Sequence, residues 1–282
     1  MGKIYSMSKI FFIGKGSVCT KIVKIARTIG CFDFIQVIED CSLGRSDLTL
    51  DLFCKRHNIE YCSIHNLNEL NLSSFTDCKK GDILISFDNF LKIPQEVCEF
   101  FYKKSANFHP SLLPQYGGVN PISWGLVHMV DKWGYSWHRI EKTIDHGDLL
   151  IQESFQVISG MSQMNLSLIC YMQGIKSFSN LLSILISNSD PILLLQEDTK
   201  ERHFFSFMDV PILETFESLD KLSLICNSAP ITPYSKWRWS FVLPSGRSTD
   251  LITLNRNQLK FLPESSVGEF NYFGIKVYFN KG

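Results

Sequence analysis

Hydrophobic residues in the first two thirds of the chain occur either in short unbroken runs or at helical spacing. The unbroken runs predict buried strands; they are KIFFIG (9–14), DFIQVIE (33–39), IEYCSI (59–64), DILISF (82–87) and SANFH (105–109). Several of the segments between them place apolar residues three or four positions apart, which predicts helices. Strands that alternate with helices predict an α/β fold, with a Rossmann-like, mostly parallel sheet and helices on both faces.

The last third of the chain changes in character. After the strand patterns YSWHRIE (135–141) and LLIQESF (149–155), a long helical pattern covers about Ser162 to Ser187. Strand patterns then predominate; they are WRWSFVL (237–243), TDLITLN (249–255), QLKFL (258–262) and FGIKVYF (273–279). We therefore expect a catalytic α/β domain over residues 1–195 and a small C-terminal β-rich domain, antiparallel or an open OB-like barrel, over 205–282.

The charge balance argues against several classes of partner. The chain has 28 basic and 28 acidic residues, so its formal net charge is zero and no overall field attracts nucleic acid or an anionic membrane. Its longest apolar runs are too short to span a bilayer, and its first residues have no signal-peptide pattern. We expect a cytoplasmic protein without a membrane partner. Lys236 and Arg238, interleaved with Trp237 and Trp239, form either a local nucleic-acid patch or an ordinary two-faced strand.

The cysteines indicate a reducing compartment. There are nine of them, scattered and without a C-x-x-C pair. An odd number at irregular spacing fits free thiols better than a disulfide framework or a zinc site. We therefore expect no metal.

A glycine turn follows the first strand. GKGSVC (14–19) opens a helix where dinucleotide folds carry G-x-G-x-x-G, but Cys19 stands at the place of the last glycine. Gly14 and Gly16 are candidates for holding a substrate phosphate at the helix N-terminus. Alternatively, the two glycines only permit a tight turn between strand and helix.

Three polar residues form the main candidate for chemistry. Asn107 and His109 lie at the end of a strand, point to the same side, and run into the rigid loop PSLLPQYGG. Asp145 lies in IDHGD, just after another strand. If these strands are neighbours, the three side chains meet at the edge of the sheet where ligands bind.

Each of the three residue types suits one part of an acyl transfer. The amide of Asn107 could donate a hydrogen bond to a developing oxyanion. The carboxylate of Asp145 would favour the protonated form of His109 and could accept a proton from an attacking nucleophile. No serine or cysteine nucleophile is required if the substrate brings its own amine. A structural role is the alternative for a histidine in a loop.

The motif block resembles the folate-dependent formyltransferase family. The family pattern is Asn-x-His, then Ser-Leu-Leu-Pro and a glycine, then an Asp in a D-x-G loop about forty residues later. This chain has Asn107, His109, SLLP at 111–114, Gly118, and Asp145 with Gly147. The resemblance covers roughly residues 8–190. It implies that Asn107, His109 and Asp145 are the catalytic triad and that 10-formyltetrahydrofolate donates the formyl group.

The resemblance also implies binding residues. Candidates for the folate slot are Phe90, Leu91, Lys92, Leu113, Ile140 and Ile144. Core packing is the alternative role for Ile140 and Ile144. Candidates on the substrate side are His138, which has either a supporting or a substrate-binding role, together with Gly14, Gly16, Tyr116 and Gly118.

Several acceptors remain open within this family. Neutral charge disfavours tRNA, and the additional C-terminal residues disfavour the purine enzyme, glycinamide ribonucleotide transformylase. A formyltetrahydrofolate hydrolase would carry an additional N-terminal domain, for which we see no room before residue 8. We expect a small amine, first a nucleotide-linked amino sugar and next a free or carrier-bound amino acid, as in formyltransferases of peptide-synthetase clusters. Methionyl-tRNA and a catalytically inactive relative that binds folate or a nucleotide remain alternatives, and the sequence leaves open whether the chain forms a homodimer.

Overall fold

The computed structural model describes residues 8–42, 48–66, 69–158, 161–187 and 203–206, together with the backbone of four C-terminal strands. In chain order the first elements are β1 Ser8–Gly14, α1 Gly16–Ile29, β2 Phe32–Asp40, α2 Thr49–His57, β3 Glu60–Ile64, β4 Ile83–Phe87, α3 Gln95–Phe101 and β5 Ser105–His109. They are followed by β6 Gly117–Gly118, α4 Pro121–Val127, β7 Lys132–His138, β8 Leu149–Gln156, α5 Gln163–Ile186 and β9 Phe204–Phe205.

Seven strands form the central sheet in the order β3-β2-β1-β4-β5-β7-β8. The strands from β3 to β5 pair in parallel, as the alternation of strands and helices predicted. The pair β5–β7 is antiparallel, which makes the sheet mixed. The predicted fold class, a mostly parallel Rossmann-like sheet, is confirmed.

Alternate residues of the inner strands point to opposite faces, and each face has its own core. On one face Ile10 and Phe12 pack among buried residues of α1, α2 and α5. On the other face Phe11 and Ile13 pack among buried residues of α3 and its neighbouring loops. Because both faces of the inner strands are covered, these strands read as unbroken apolar runs in the sequence.

Helix α5 is long and apolar enough, by length and composition alone, to cross a membrane. Core helices of globular domains can have the same length and composition. In this helix Phe178, Leu181, Leu182 and Leu185 are buried in the hydrophobic core that also contains Ile10 and Phe12. Gly174 permits the close approach of the helix, because an added Cβ would lie 2.2 Å from the ring of Phe108.

By its contacts, the chain divides into two compact units. The first contains Met1–Gln115, Gly134–Glu153 and Cys170–Arg202; the second contains Tyr116–Trp133, Ser154–Ile169 and His203–Gly282. Residues 195–202 lie outside the described part, so the domain limits 1–195 and 205–282 stay predictions.

The C-terminal segment has β-structure where it is described. Strand β10 Arg238–Val242 pairs with β11 Ser248–Ile252, and β12 Val267–Tyr272 pairs with β13 Ile275–Asn280, both antiparallel. The predicted strand QLKFL and residue Lys236 lie outside the described residues.

Eight cysteines fall within the described residues, and all are free thiols. Five of them are buried, at positions 19, 41, 54, 98 and 170.

Candidate active site

Strand β5 carries two of the three predicted catalytic side chains. Asn107 and His109 are separated by one residue and therefore share a face of the strand. The neighbouring strand is β7, in which His138 stands opposite Asn107 and Ser136 opposite His109. The sequence left open whether these two strands are neighbours, and it did not predict their relative direction. Because β7 runs antiparallel, its end leads away from the carboxyl end of β5, and the loop after it brings Asp145 back.

The three predicted residues meet, and His138 joins them. His109 Nδ1 lies 3.4 Å from Asp145 Oδ2, and His138 Nε2 lies 3.4 Å from Asp145 Oδ1. Asn107 Nδ2 lies 3.0 Å from His138 Nε2. His109, His138 and Asp145 are all buried, with 5%, 2% and 6% of their surface exposed. The carboxylate thus lies between two imidazoles in a site with little water to screen its charge.

The backbone of the 139–148 loop is tightly constrained. Asp145 has φ 59°, in the left-handed region that aspartate tolerates better than most residues. Gly147 packs so closely against the preceding strand that an added Cβ would lie 2.0 Å from the carbonyl oxygen of Arg139. Arg139 N donates to the carbonyl of Asp148, which closes the loop at its base. This packing fixes the position of the Asp145 carboxylate.

Two polar side chains hold the SLLP loop against the sheet. Ser136 Oγ donates to the carbonyl of Ser111 at 2.7 Å and accepts from Leu113 N at 3.1 Å. Gln152 Nε2 donates to the carbonyl of Leu113 at 2.8 Å. These contacts position Leu113, which is buried, through its backbone. The sequence did not single out Ser136 or Gln152.

The predicted folate residues fall into two groups. Leu91 and Ile140 are buried in the same core cluster, on the α3 face of the sheet. Ile144 and Lys92 are exposed, and the ring of Phe90 lies 4.2 Å from the ammonium of Lys15. The packing alternative therefore applies to Ile140 and not to Ile144.

A cavity of about 370 Å³ adjoins Ile140. Its other lining residues are Gln95, Cys98, Glu99, Tyr102, Glu141 and Lys142. Burial, and next the nearby carboxylates of Asp148 and Glu141, raise the pKa of Tyr102 to about 12, so its phenol stays neutral. The cavity is open to the surface, and its lining combines the apolar Ile140 with charged and polar side chains.

The glycine turn contacts the neighbouring strand closely. An added Cβ at Gly14 would lie 2.1 Å from the carbonyl oxygen of Phe87, and Gly16 has φ 59° as the first residue of α1. Packing and backbone conformation thus account for both glycines, and their role in phosphate binding stays a prediction.

An acidic residue that the sequence did not single out lies beside this turn. Asp88 follows β4 with φ 57° and accepts a hydrogen bond from Tyr171 Oη at 2.9 Å. Burial raises the pKa of Asp88, which Lys15 and the bond from Tyr171 partly oppose. An aspartate just after a strand looks like an ordinary loop residue, so no sequence signal marked it.

Tyr116 and Gly118 lie in the second unit. Tyr116 Oη lies 3.1 Å from His128 Nδ1, and its ring packs beside Trp133 and Phe205. Gly118 pairs with Phe205, whose carbonyl oxygen would lie 2.0 Å from an added Cβ. Their predicted role in substrate binding stays a prediction.

No group of three or more His, Cys, Asp or Glu side chains among the described residues is arranged to hold a metal ion.

Comparison with known proteins identifies the domain. Residues 76–173 match the formyl transferase family. GDP-perosamine N-formyltransferase of Brucella melitensis is 30% identical over 115 residues, which cover 36% of this chain and 44% of that protein. The bifunctional polymyxin resistance protein ArnA of Wigglesworthia glossinidia brevipalpis is 32% identical over 102 residues, which cover 36% of this chain and 16% of that protein. The chain thus matches less than half the length of either relative.

Solved structures share the fold over almost the whole chain. The sugar 3N-formyltransferase WlaRD, determined with dTDP and 5-N-formyl-THF, has a TM-score of 0.63 at 20% identity and covers 98% of both chains. The N-formyltransferase from Helicobacter canadensis, in complex with folinic acid and dTDP-3-aminofucose, has a TM-score of 0.65 at 18% identity, covering 97% of this chain and 99% of that one. The resemblance predicted from the sequence is confirmed over residues 76–173, which match the formyl transferase family.

Proposed function

We propose that the protein transfers a formyl group from 10-formyltetrahydrofolate to the primary amine of a nucleotide-linked amino sugar. The observation that carries the proposal is the cluster of Asn107, His109 and Asp145, in which His109 and Asp145 are buried and the side chains contact one another directly or through His138. The family match supports the reaction class. The similarity to sugar N-formyltransferases supports the acceptor class.

The residues divide the chemistry among them. The bound folate supplies the formyl carbonyl. The amide of Asn107 and a protonated His109 would donate hydrogen bonds to the oxygen of that carbonyl as negative charge develops on it. The Asp145 carboxylate would accept the proton that the attacking amine loses as the new C–N bond forms, directly or through water. The bond from the formyl carbon to N10 of the folate would then break, and the same proton would pass to N10 of the leaving tetrahydrofolate. The carboxylate also favours the protonated state of His109, since the two atoms involved lie 3.4 Å apart in a buried site.

We propose that the folate binds among residues of two loops beside the central sheet. The cavity beside Ile140 has about 370 Å³, and the loop after β4 brings Leu91 into the same cluster as Ile140. The cavity is lined by residues of 95–102 and 140–142, so it borders the 139–148 loop and not the β4–α3 loop. We propose that the folate slot lies between these two loops, that Phe90, Lys92, Leu113 and Ile144 contribute to it, and that the packed residues Leu91 and Ile140 support it from the core.

A screen of acceptors tests the function. The protein is incubated with 10-formyltetrahydrofolate and a panel of nucleotide-linked amino sugars, free amino acids and charged initiator tRNA, and formylated product is read by mass. We expect a mass gain of one formyl group on an amino sugar. Formylation of an amino acid or of tRNA alone would overturn the acceptor class, and absence of any product with folate bound would overturn the activity.

A further inference from the structure

We propose that His138 is a positioning residue, which orients the carboxamide of Asn107 through its Nε2 atom and does not bind substrate. The inference rests on the proposed function, because it concerns how Asn107 faces the formyl oxygen. It revises the expectation from the sequence, in which His138 had a supporting or a substrate-side role.

Strand pairing brings the two residues together. Asn107 and His138 stand directly opposite each other in the antiparallel pair β5–β7. The His138 ring is 2% exposed, so neighbouring groups and not water satisfy its nitrogens. Its Nδ1 lies 2.8 Å from the carbonyl oxygen of Arg139, and its Nε2 lies 3.0 Å from Asn107 Nδ2.

The carbonyl of Arg139 determines which nitrogen carries the proton. A carbonyl oxygen can only accept a hydrogen bond, so His138 Nδ1 must be the donor. In the neutral ring Nε2 then has a lone pair and accepts from an N–H of Asn107. The Asn107 carboxamide is thereby fixed with its nitrogen toward His138 and its second N–H available to another acceptor.

Other charged groups around His138 are compatible with a neutral ring. The Asp145 carboxylate is the nearest, with Oδ1 3.4 Å from Nε2, a longer separation than that to Asn107. Its other oxygen faces His109, and a protonated His109, as the proposed function requires, would oppose a second proton at His138. The guanidinium of Arg139 is directed away, toward the carbonyls of Lys103 and Ser105.

The orientation of Asn107 matters for the reaction. A carboxamide has an N–H side and an oxygen side of nearly the same shape, and only the N–H side can stabilise an oxyanion. If no acceptor stood at the position of His138 Nε2, the Asn107 carboxamide could rotate and turn its oxygen toward the formyl oxygen. The two oxygens both carry partial negative charge and would repel each other. His138 therefore acts on the rate through Asn107.

Two substitutions separate the two ends of the ring. His138→Asn keeps an N–H at the Nδ1 position, which can donate to the Arg139 carbonyl, but it removes the atom that accepts a hydrogen bond from Asn107. His138→Gln places an amide oxygen near the Nε2 position, where it can accept from Asn107. Loss of one orienting hydrogen bond predicts that His138→Asn lowers kcat about tenfold at unchanged KM, while His138→Gln stays within about threefold of wild type.

A double-mutant cycle tests whether the effect passes through Asn107. In an Asn107→Ala background neither substitution at His138 should lower kcat further, because no carboxamide remains to be oriented. His57→Gln on α2, where the ring packs on Phe53, serves as the control for loss of a histidine. An additive loss, a wild-type kcat in His138→Asn, or a raised KM with unchanged kcat would each overturn the proposal.

A measurement without turnover separates this proposal from the proposed function. Long-range ¹H–¹⁵N spectra of labelled protein, with the signal assigned by the His138→Gln variant, distinguish the tautomers of the ring. We expect the neutral Nδ1–H form at neutral pH. An Nε2–H form or a doubly protonated ring overturns the positioning role, whereas a protein that has the expected tautomer but no activity fails only as a formyltransferase.

Discussion

One carboxylate shared by two imidazoles is the central feature at the residue scale. Asp145 faces His109 through one oxygen and His138 through the other, both at 3.4 Å. The two rings have different neighbours, since His138 also contacts an amide and a backbone carbonyl. The same residue type can therefore have two roles within one site, as proposed above for His109 and His138.

The roles of His109 and Asp145 predict a loss of turnover without a loss of folate binding. We expect Asp145→Asn and His109→Gln each to lower kcat by about 10²–10⁴, the usual contribution of acid–base and oxyanion groups. Turnover is measured with saturating donor, and binding of a folate analogue is measured by calorimetry. Near-normal turnover in either variant would refute the assigned role.

Asp88 predicts a pH-dependent change in stability. Burial raises its pKa in the folded state, so its contribution to stability is full at acidic pH and is lost as pH rises through the raised value. Asp88→Asn removes the ionisable group and therefore the decrease in stability as pH rises. Asparagine also tolerates the backbone conformation at this position, φ 57°. We expect the melting temperature of Asp88→Asn, relative to wild type, to increase from pH 4 to pH 8.

The exposed Asp33 on β2 offers a matched control for this experiment. Asp33→Asn should change the melting temperature by a similar small amount at both pH values. A constant difference for Asp88→Asn across the same range would contradict the prediction.

At the scale of elements, the sequence predicts the inner strands of the sheet but not the direction of strand β7. Runs such as KIFFIG and DILISF indicate strands because both faces of the inner sheet are covered, and strand alternation places Asn107 and His109 on one side. The direction of β7 could not be predicted, because alternation of side chains is the same in both directions. For that reason the sequence located Asp145 near the site but did not predict the contact between His138 and Asn107.

The close packing of helix α5 on the sheet at Gly174 leads us to expect a steric cost when a larger residue replaces this glycine. In Gly174→Ala the new methyl group would lie 2.2 Å from the Phe108 ring, so helix or ring must move. Overpacking of this kind typically costs about 1–3 kcal/mol of unfolding free energy. Denaturant titration measures the change, and Ser179→Ala, at an exposed position of the same helix, should stay within about 0.5 kcal/mol of wild type.

A stability of Gly174→Ala equal to or above that of wild type would show that the helix can move away from Phe108 at no cost.

At the scale of the whole molecule, the charge balance bears on the proposed class of acceptor. The formal net charge is zero, so the protein has no overall field that concentrates a polyanion at its surface. This property favours a small acceptor over tRNA, although methionyl-tRNA formyltransferases are among the similar proteins.

A binding measurement with charged initiator tRNA tests this expectation. We expect weak retention in a filter-binding assay at physiological salt, because few phosphate contacts would release few counterions. The nucleotide-linked amino sugar that gives the highest turnover in the acceptor screen serves as the comparison. Tight binding that falls steeply with added salt would instead favour the tRNA acceptor.

The buried thiols make the two sides of the sheet separately observable. Burial is the largest cause that raises the pKa of Cys54, on α2, to about 12 and that of Cys98, on α3, to about 11, so almost no reactive thiolate exists while these helices are in place. We therefore expect an alkylating reagent to modify Cys54 only during transient opening, whereas it can also approach Cys98 through the cavity that this residue lines. Modification rates at these two native positions, read by peptide mapping, would compare the opening of the two helical layers without an engineered label.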